Sequence, residues 1–313
     1  MDLSHSRLFS SGLLGFPLTP FDRSGEFDPD RFADHLERFM TLDIGAIFVA
    51  GGAGELSALS EAEHRRVVEK AVSVVAGRLP VYAGAGGGFG QARSLARTAA
   101  DAGADGILLL PPYLVGGTSE GQVALVRCVA EVSPLPLIVY RRGLALFNAE
   151  QTLRIMDIPN VVGLKDGTGD MAALRRVVAA VRKSDHAKKL TFEFMNGVPT
   201  AELRVDQFEA LGIHTYSSAV LCFCPEVAVA FYQAVKRGDE QLKRELESVF
   251  YKPLGMLCEE ASGFAVSLIK AGCRLRGLDL GDARPPLAMP NAEQEARLEA
   301  IIEAGLRVVG AAK

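Results

Sequence analysis

Val161-Val162-Gly163-Leu164-Lys165-Asp166-Gly167-Thr168 is a short apolar run that ends in one lysine, just before a glycine turn. The run reads as a buried strand, and the lysine stands at its mouth. An ammonium there is partly desolvated and gives up its proton more easily. The neutral amine is a nucleophile towards a ketone, and the resulting Schiff base is an electron sink. The plainer reading is a strand-end lysine paired with neighbouring Asp166.

Similar apolar runs punctuate the chain at 12–17, 46–50, 80–83, 106–110, 135–140, 161–165, 190–195 and 213–216. Helix-like patterns lie between them, among them 60–76, 91–102, 120–132, 149–156 and 171–183. Ser60 and Glu63 form a capping-box signature at one helix start. Ala102-Gly103-Ala104-Asp105-Gly106 reads as a helix stop followed at once by a strand. Eight strand–helix alternations predict an α/β fold, a (β/α)8 TIM barrel, over residues 1–224. Residues 225–313 read as helical throughout (226–237, 240–250, 255–271 and 291–309), a C-terminal extension packed on the barrel flank and available for oligomer contacts.

Composition narrows the function classes. A length of 313 residues suits a single α/β barrel, and a hydrophobic fraction of 49% supplies a large core. The net charge of −4 argues against nucleic acid, which needs a basic face. Lys188-Lys189 and Arg175-Arg176 read as solvated helix faces. No window approaches the roughly 20 apolar residues of a membrane span, and Met1–Gly12 lacks a signal-peptide core. Five scattered cysteines, with Cys222 and Cys224 too close for a CxxC pair, suit buried thiols in a reducing cytoplasm. His5, His35, His64, His186 and His214 show no metal-ligand spacing. His35 and His64 read as surface positions on helices. The expectation is a cytoplasmic protein with no metal and no organic cofactor.

In a barrel, chemistry gathers at the C-terminal ends of the strands. That rule selects 51–55, 84–88, 111–113, 140–142, 165–168, 196–199 and 217–218. Gly51-Gly52-Ala53-Gly54-Glu55 exposes backbone N–H groups that can nest a carboxylate. Gly84-Ala85-Gly86-Gly87-Gly88 lacks the ending of a phosphate loop and reads as a tight turn near the site. Tyr140 ends the fifth strand, next to Lys165 on the sixth, where a phenol can carry a proton for an imine.

Gly51–Glu55, Tyr140 and Gly163-Leu164-Lys165-Asp166 resemble, in order and spacing, the dihydrodipicolinate synthase / N-acetylneuraminate lyase superfamily. The resemblance covers nearly the whole chain and implies Schiff-base chemistry on α-keto acids. Gly15–Phe21, Thr215–Ala219, Gly263–Gly272 and Arg284-Pro285-Pro286-Leu287 point, within that superfamily, to the branch that dehydrates and decarboxylates a keto sugar diacid. By matching position, Lys165 would be the imine lysine and Tyr140 the proton carrier. Gly52 and Ala53 would hold the α-carboxylate through backbone amides. Tyr113 would cross into a neighbouring subunit's site, which implies a homo-oligomer, a dimer or tetramer. Asn196 and Gly197 would line the pocket, and Arg142, Ser217 and Ser218 would meet the far end of the substrate.

The implied reaction converts 5-dehydro-4-deoxy-D-glucarate to 2,5-dioxopentanoate with loss of water and carbon dioxide. It needs one electron sink, one mobile proton carrier and two carboxylate grips. The sequence departs from the family pattern twice. Ala53 stands where a threonine hydroxyl is usual, and Arg141-Arg142-Gly143-Leu144 replaces the usual polar run after the tyrosine. Two alternatives therefore stay open: another Schiff-base α-keto acid aldolase or synthase, and a catalytically weak α-keto acid-binding paralogue.

Overall fold

The computed structural model describes residues 8–260 and 263–311. The readings of Met1–Arg7, His5 among them, and of Ala261, Ser262, Ala312 and Lys313 fall outside those residues.

All eight apolar runs contain strands. They are β1 (Leu13–Gly15), β2 (Ile47–Val49), β3 (Val81–Ala85), β4 (Gly106–Leu109), β5 (Leu137–Arg141), β6 (Val161–Asp166), β7 (Glu193–Asn196) and β8 (Tyr216–Ser218). They pair in parallel, in chain order, and β8 closes on β1 through Leu13↔Tyr216 and Gly15↔Ser218. Parallel strands wrapped by helices are apolar on both faces, which is why each reads as a continuous run rather than an alternating one. In β8 the run 213–216 enters the sheet only at its last residue, because pairing with β1 starts at Tyr216.

Around the barrel lie α1 (Pro29–Phe39), α2 (Glu61–Val75), α3 (Phe89–Asp101), α4 (Ser119–Ala130), α5 (Ala149–Met156), α6 (Met171–Lys183), α7 (Val205–Glu209) and α8 (Pro225–Arg237). Ser60 and Glu63 form the capping box at the start of α2. The stop after α3 is also as read: Gly103 takes a φ of +83°, and the Asp105 amide donates to Val81. Beyond α8 come α9 (Glu240–Leu246), a π turn (Glu247–Tyr251), α10 (Lys252–Cys258), α11 (Phe264–Leu275) and α12 (Ala292–Ala311). The pattern 255–271 thus belongs to two helices, and α10 ends at Cys258.

Two surface readings are overturned. His35 and His64 are fully buried, because each falls on the inner face of its helix. His35 Nε2 accepts the Leu18 amide at 3.3 Å, and burial drives its pKa down to about 3, with Arg38 adding to the effect. His64 Nε2 donates to the Gly84 carbonyl at 2.8 Å. Lys188 is also no solvated helix face: it lies in a turn, and its Nζ donates to Ile158 at 2.5 Å and Val161 at 3.1 Å, capping backbone carbonyls beside β6.

One irregularity bears on the site. The β5–β6 register steps from Leu137↔Val161 to Ile138↔Gly163, so β6 carries an extra residue there. Such a bulge re-aims the side chains beyond it. From that point Tyr140 pairs directly with Lys165, and Arg141 with Asp166.

Candidate active site

A cavity of about 620 Å³ opens at the C-terminal mouth of the barrel. Phe16, Gly52, Ala53, Tyr113, Tyr140, Arg142, Lys165, Gly197 and Ser217 all line it. Lys165 rises from β6 and is only 4% exposed. Its Nζ lies 3.9 Å from the Phe16 ring centroid and 4.6 Å from that of Tyr140. Asp166 is not its partner. That carboxylate pairs with Arg141, accepts the Thr168 hydroxyl at 2.9 Å and accepts the Gly169 amide at 3.2 Å. Burial therefore drives the lysine pKa down to about 7, and the nearby Arg142 charge pushes the same way.

Burial lowers the pKa of Lys270 as well, but Glu55 opposes the shift. That lysine is fully buried too, but its Nζ sits 2.8 Å from Glu55 Oε1 and donates to the Asp282 carbonyl at 3.0 Å. A buried charge that is paired and hydrogen-bonded is a structural element; one that lacks an anion is poised to lose its proton.

Tyr140 Oη donates to the Gly197 carbonyl at 2.8 Å and accepts from Arg142 Nη1 at 2.9 Å. Burial raises its pKa, while the Arg142 charge and hydrogen bond oppose the rise. Two glycines make room for this pair. A Cβ on Gly197 would stand 2.2 Å from Lys165 Cε, and one on Gly167 would stand 2.6 Å from Tyr140 Oη.

The Gly51–Glu55 turn leaves the Gly52 and Ala53 amides without a protein acceptor among the described hydrogen bonds. Its end is held from afar: Glu55, at a φ of +55°, bonds the Arg284 amide at 2.9 Å through Oε2 and pairs with Lys270 through Oε1. Thr19 Oγ1 donates to the Gly54 carbonyl at 2.7 Å.

Not every expected residue reaches the wall. Asn196 and Ser218 lie behind it. Asn196 Nδ2 donates to Ala201 at 3.0 Å, and Ser218 Oγ donates to Glu202 Oε1 at 2.5 Å. The glycines of 84–88 do not line the cavity. Tyr113 stands at the rim, 57% exposed. Sequence reasoning missed Phe16 as the ring under the lysine. It also missed Glu202, and the wall that Leu254, Val266, Ile269 and Leu287 supply from the C-terminal region. Only the Gly15-Phe16-Pro17 run pointed towards the first. Among the described residues, no group of three or more His, Cys, Asp or Glu side chains could hold a metal ion. Nor, among those residues, is any helix long and apolar enough to cross a membrane.

Comparison with known proteins agrees with this geometry. The model of the dihydrodipicolinate synthetase family matches residues 9–305. A Streptomyces coelicolor protein named "Probable 5-dehydro-4-deoxyglucarate dehydratase 1" is 45% identical over 295 residues, covering 94% of this chain and 93% of its own. A Bacillus subtilis protein named "Probable 5-dehydro-4-deoxyglucarate dehydratase" is 35% identical over 302 residues, 96% of each chain. Dihydrodipicolinate synthase from Oceanobacillus iheyensis shares the fold at a TM-score of 0.85, covering 95% of this chain and 97% of its own, with 24% identity. With a family match across the barrel and an unpaired lysine at its mouth, this chain belongs to the dihydrodipicolinate synthetase family.

Proposed function

We propose that the protein is a decarboxylating hydro-lyase that converts 5-dehydro-4-deoxy-D-glucarate to 2,5-dioxopentanoate, water and carbon dioxide, through a Schiff base on Lys165. The observation that carries this reading is the buried lysine, without an anionic partner among the described residues and close to two aromatic rings in the cavity wall. Such an amine is largely neutral just above pH 7, as attack on a ketone requires. The names of the relatives support the substrate.

The free amides of Gly52 and Ala53 hold the α-carboxylate, placing the ketone over Lys165. Imine formation passes the Tyr140 proton to the departing ketone oxygen and acidifies the adjacent methylene, and the Tyr140 phenolate then takes and returns that proton. The enamine expels the β-hydroxyl, and the distal carboxylate then departs as carbon dioxide, its electrons flowing into the iminium. Arg142 and Ser217 face the distal end, and Arg142 supplies the positive charge that a second carboxylate calls for.

A second copy of the chain covers the rim in this reading. Tyr113, Leu114, Val115, Leu144 and Leu146 are exposed apolar side chains on two neighbouring loops, which Gln122 ties together through bonds of 2.9 Å to Gly116 and 2.8 Å to Leu144. A contiguous apolar rim of this kind marks an interface. Residues 225–313 complete the site as well as the flank, through α10 and α11. The compartment is a reducing cytoplasm, in keeping with five free thiols.

The test is incubation with 5-dehydro-4-deoxyglucarate, assaying carbon dioxide and aldehyde, together with borohydride trapping of an α-keto acid on the wild type and on Lys165→Ala. Both products and a Lys165-dependent adduct are expected. Free pyruvate as product would instead indicate an aldolase, and trapping without turnover a binding protein, the outcome to which Ala53 is relevant. Trapping that persists in Lys165→Ala would overturn the assignment.

A further inference from the structure

Tyr140 on β5 serves one flank of Lys165. The other flank, beyond β7, carries a carboxyl to which none of the steps above gives a task. After β7 the chain runs into a 3₁₀ turn, Ala201–Arg204, pinned to the strand end by the Asn196–Ala201 hydrogen bond. Glu202 in that turn lines the cavity and is 2% exposed.

Its side-chain hydrogen bond is with the Ser218 hydroxyl, at 2.5 Å. The titratable groups packed near it are Tyr216 on β8 and Tyr251 in the π turn. Burial holds both phenols protonated, and among the described residues neither hydroxyl has a hydrogen-bond partner. No cation among those residues neutralises the carboxyl, unlike Glu55 with its lysine. Burial accordingly pushes Glu202 up to about 7, with the Ser218 bond opposing. A protonated carboxyl also tolerates the distal carboxylate of the substrate, which a second anion would repel.

We propose that Glu202 is the acid that protonates the departing β-hydroxyl, held in place by Ser218. The proposal rests on the Schiff-base dehydratase reading above. Imine formation draws the Tyr140 phenol proton onto the departing ketone oxygen, which leaves as water, and the resulting phenolate takes the methylene proton; the enamine electrons then push on the neighbouring carbon–oxygen bond. The Glu202 proton passes to that oxygen, the bond breaks and water leaves. Glu202 is left as a carboxylate and the substrate as a conjugated iminium. Decarboxylation sends the carbon–carbon bonding pair through the double bond to the imine nitrogen and leaves an enol. Tyr140 returns its proton to the former methylene carbon. The enol O–H proton passes to Glu202 as the next carbon takes one proton from solvent, which restores Glu202, and hydrolysis of the iminium then frees Lys165 and returns a proton to Tyr140.

Glu202→Gln keeps the size of the side chain and a partner for Ser218 but has no acidic proton. Its kcat on the diacid is expected to fall about 10²-fold or more, while borohydride trapping of pyruvate on Lys165 stays within about threefold of wild type. The mass of the trapped diacid adduct should still include the β-hydroxyl. Wild-type kcat should decline as pH rises through about 7, where Glu202 loses its proton, and the residual rate of the variant should lack that limb. A variant kcat within about threefold of wild type would overturn the proposal. If the variant fails to trap pyruvate, the wild-type profile decides: a decline supports the role, and a flat rate to about pH 9 removes it. Failure of the dehydratase reading looks different, because the wild type would then release no carbon dioxide from the diacid.

Discussion

Tyr140 and Lys165 are direct partners across the β5–β6 ladder, and the phenol ring centroid lies 4.6 Å from the lysine Nζ. The pairing exists only because β6 holds one extra residue before Gly163. A one-residue slip would send the lysine to the helix-facing side of the sheet.

Replacing the phenol tests the division of labour between these two residues. Tyr140→Phe keeps the ring over Lys165 but loses the hydroxyl that bridges Gly197 and Arg142. Turnover of the diacid is expected to drop roughly 10²- to 10⁴-fold. Slow pyruvate trapping should survive, since the amine remains. Loss of trapping equal to the loss of turnover would count against a proton-carrying role.

Lys165 should also be a burden on the fold, in a pH-dependent way. Its folded pKa of about 7 lies below its ordinary 10.5, so the unfolded chain binds the proton more tightly. The penalty is complete below about pH 7 and fades as pH rises towards 10.5. At its fullest it is on the order of 5 kcal/mol. Lys165→Met should therefore stabilise the protein in urea unfolding, and by more near pH 6 than near pH 9. An equal gain at both values would show that the amine is not depressed.

Arg142 acts on both Lys165 and Tyr140, through its charge on the first and its hydrogen bond to the second. With Arg142→Leu, the lysine pKa should rise, so the midpoint of pyruvate trapping against pH moves to higher pH. The KM for the diacid should increase by about tenfold or more, as expected when a charge-assisted contact to a carboxylate is lost. An unmoved midpoint would place the guanidinium too far away to matter.

The Glu55–Lys270 pair is buried on both sides. Lys270→Ala leaves a carboxylate without its cation and should cost about 3–5 kcal/mol in denaturant unfolding. The double replacement Glu55→Gln with Lys270→Met should recover most of that stability. It should not recover diacid turnover in full, because Glu55 also anchors the Gly51–Glu55 turn through the Arg284 amide.

The barrel was legible because an apolar run lies at or leads into each of its strands, and that pattern needs no knowledge of partners. Lys165 and Tyr140 were legible for the same reason, since strand ends mark the mouth. Glu202 was not: it lies in a 3₁₀ turn with no periodic signal, and its character comes from burial without a neutralising cation among the described residues. His35 and His64 were misread because each falls among polar neighbours, and only the packing of α1 and α2 shows which face turns inward. The wall supplied by α10 and α11 was read as flank cover, since nothing local tells a helix which end of a barrel it overhangs.

The order of synthesis adds a final consequence. Glu55 emerges early from the ribosome, whereas Lys270 and Arg284, which fix its carboxylate, are made more than 200 residues later. A chain arrested after β8 would have every strand of the barrel together with Lys165 and Tyr140, yet the Gly51–Glu55 turn would lack its anchor. A C-terminal truncation that removes Lys270 and Arg284 should therefore be read as a loss of support for the Gly51–Glu55 turn.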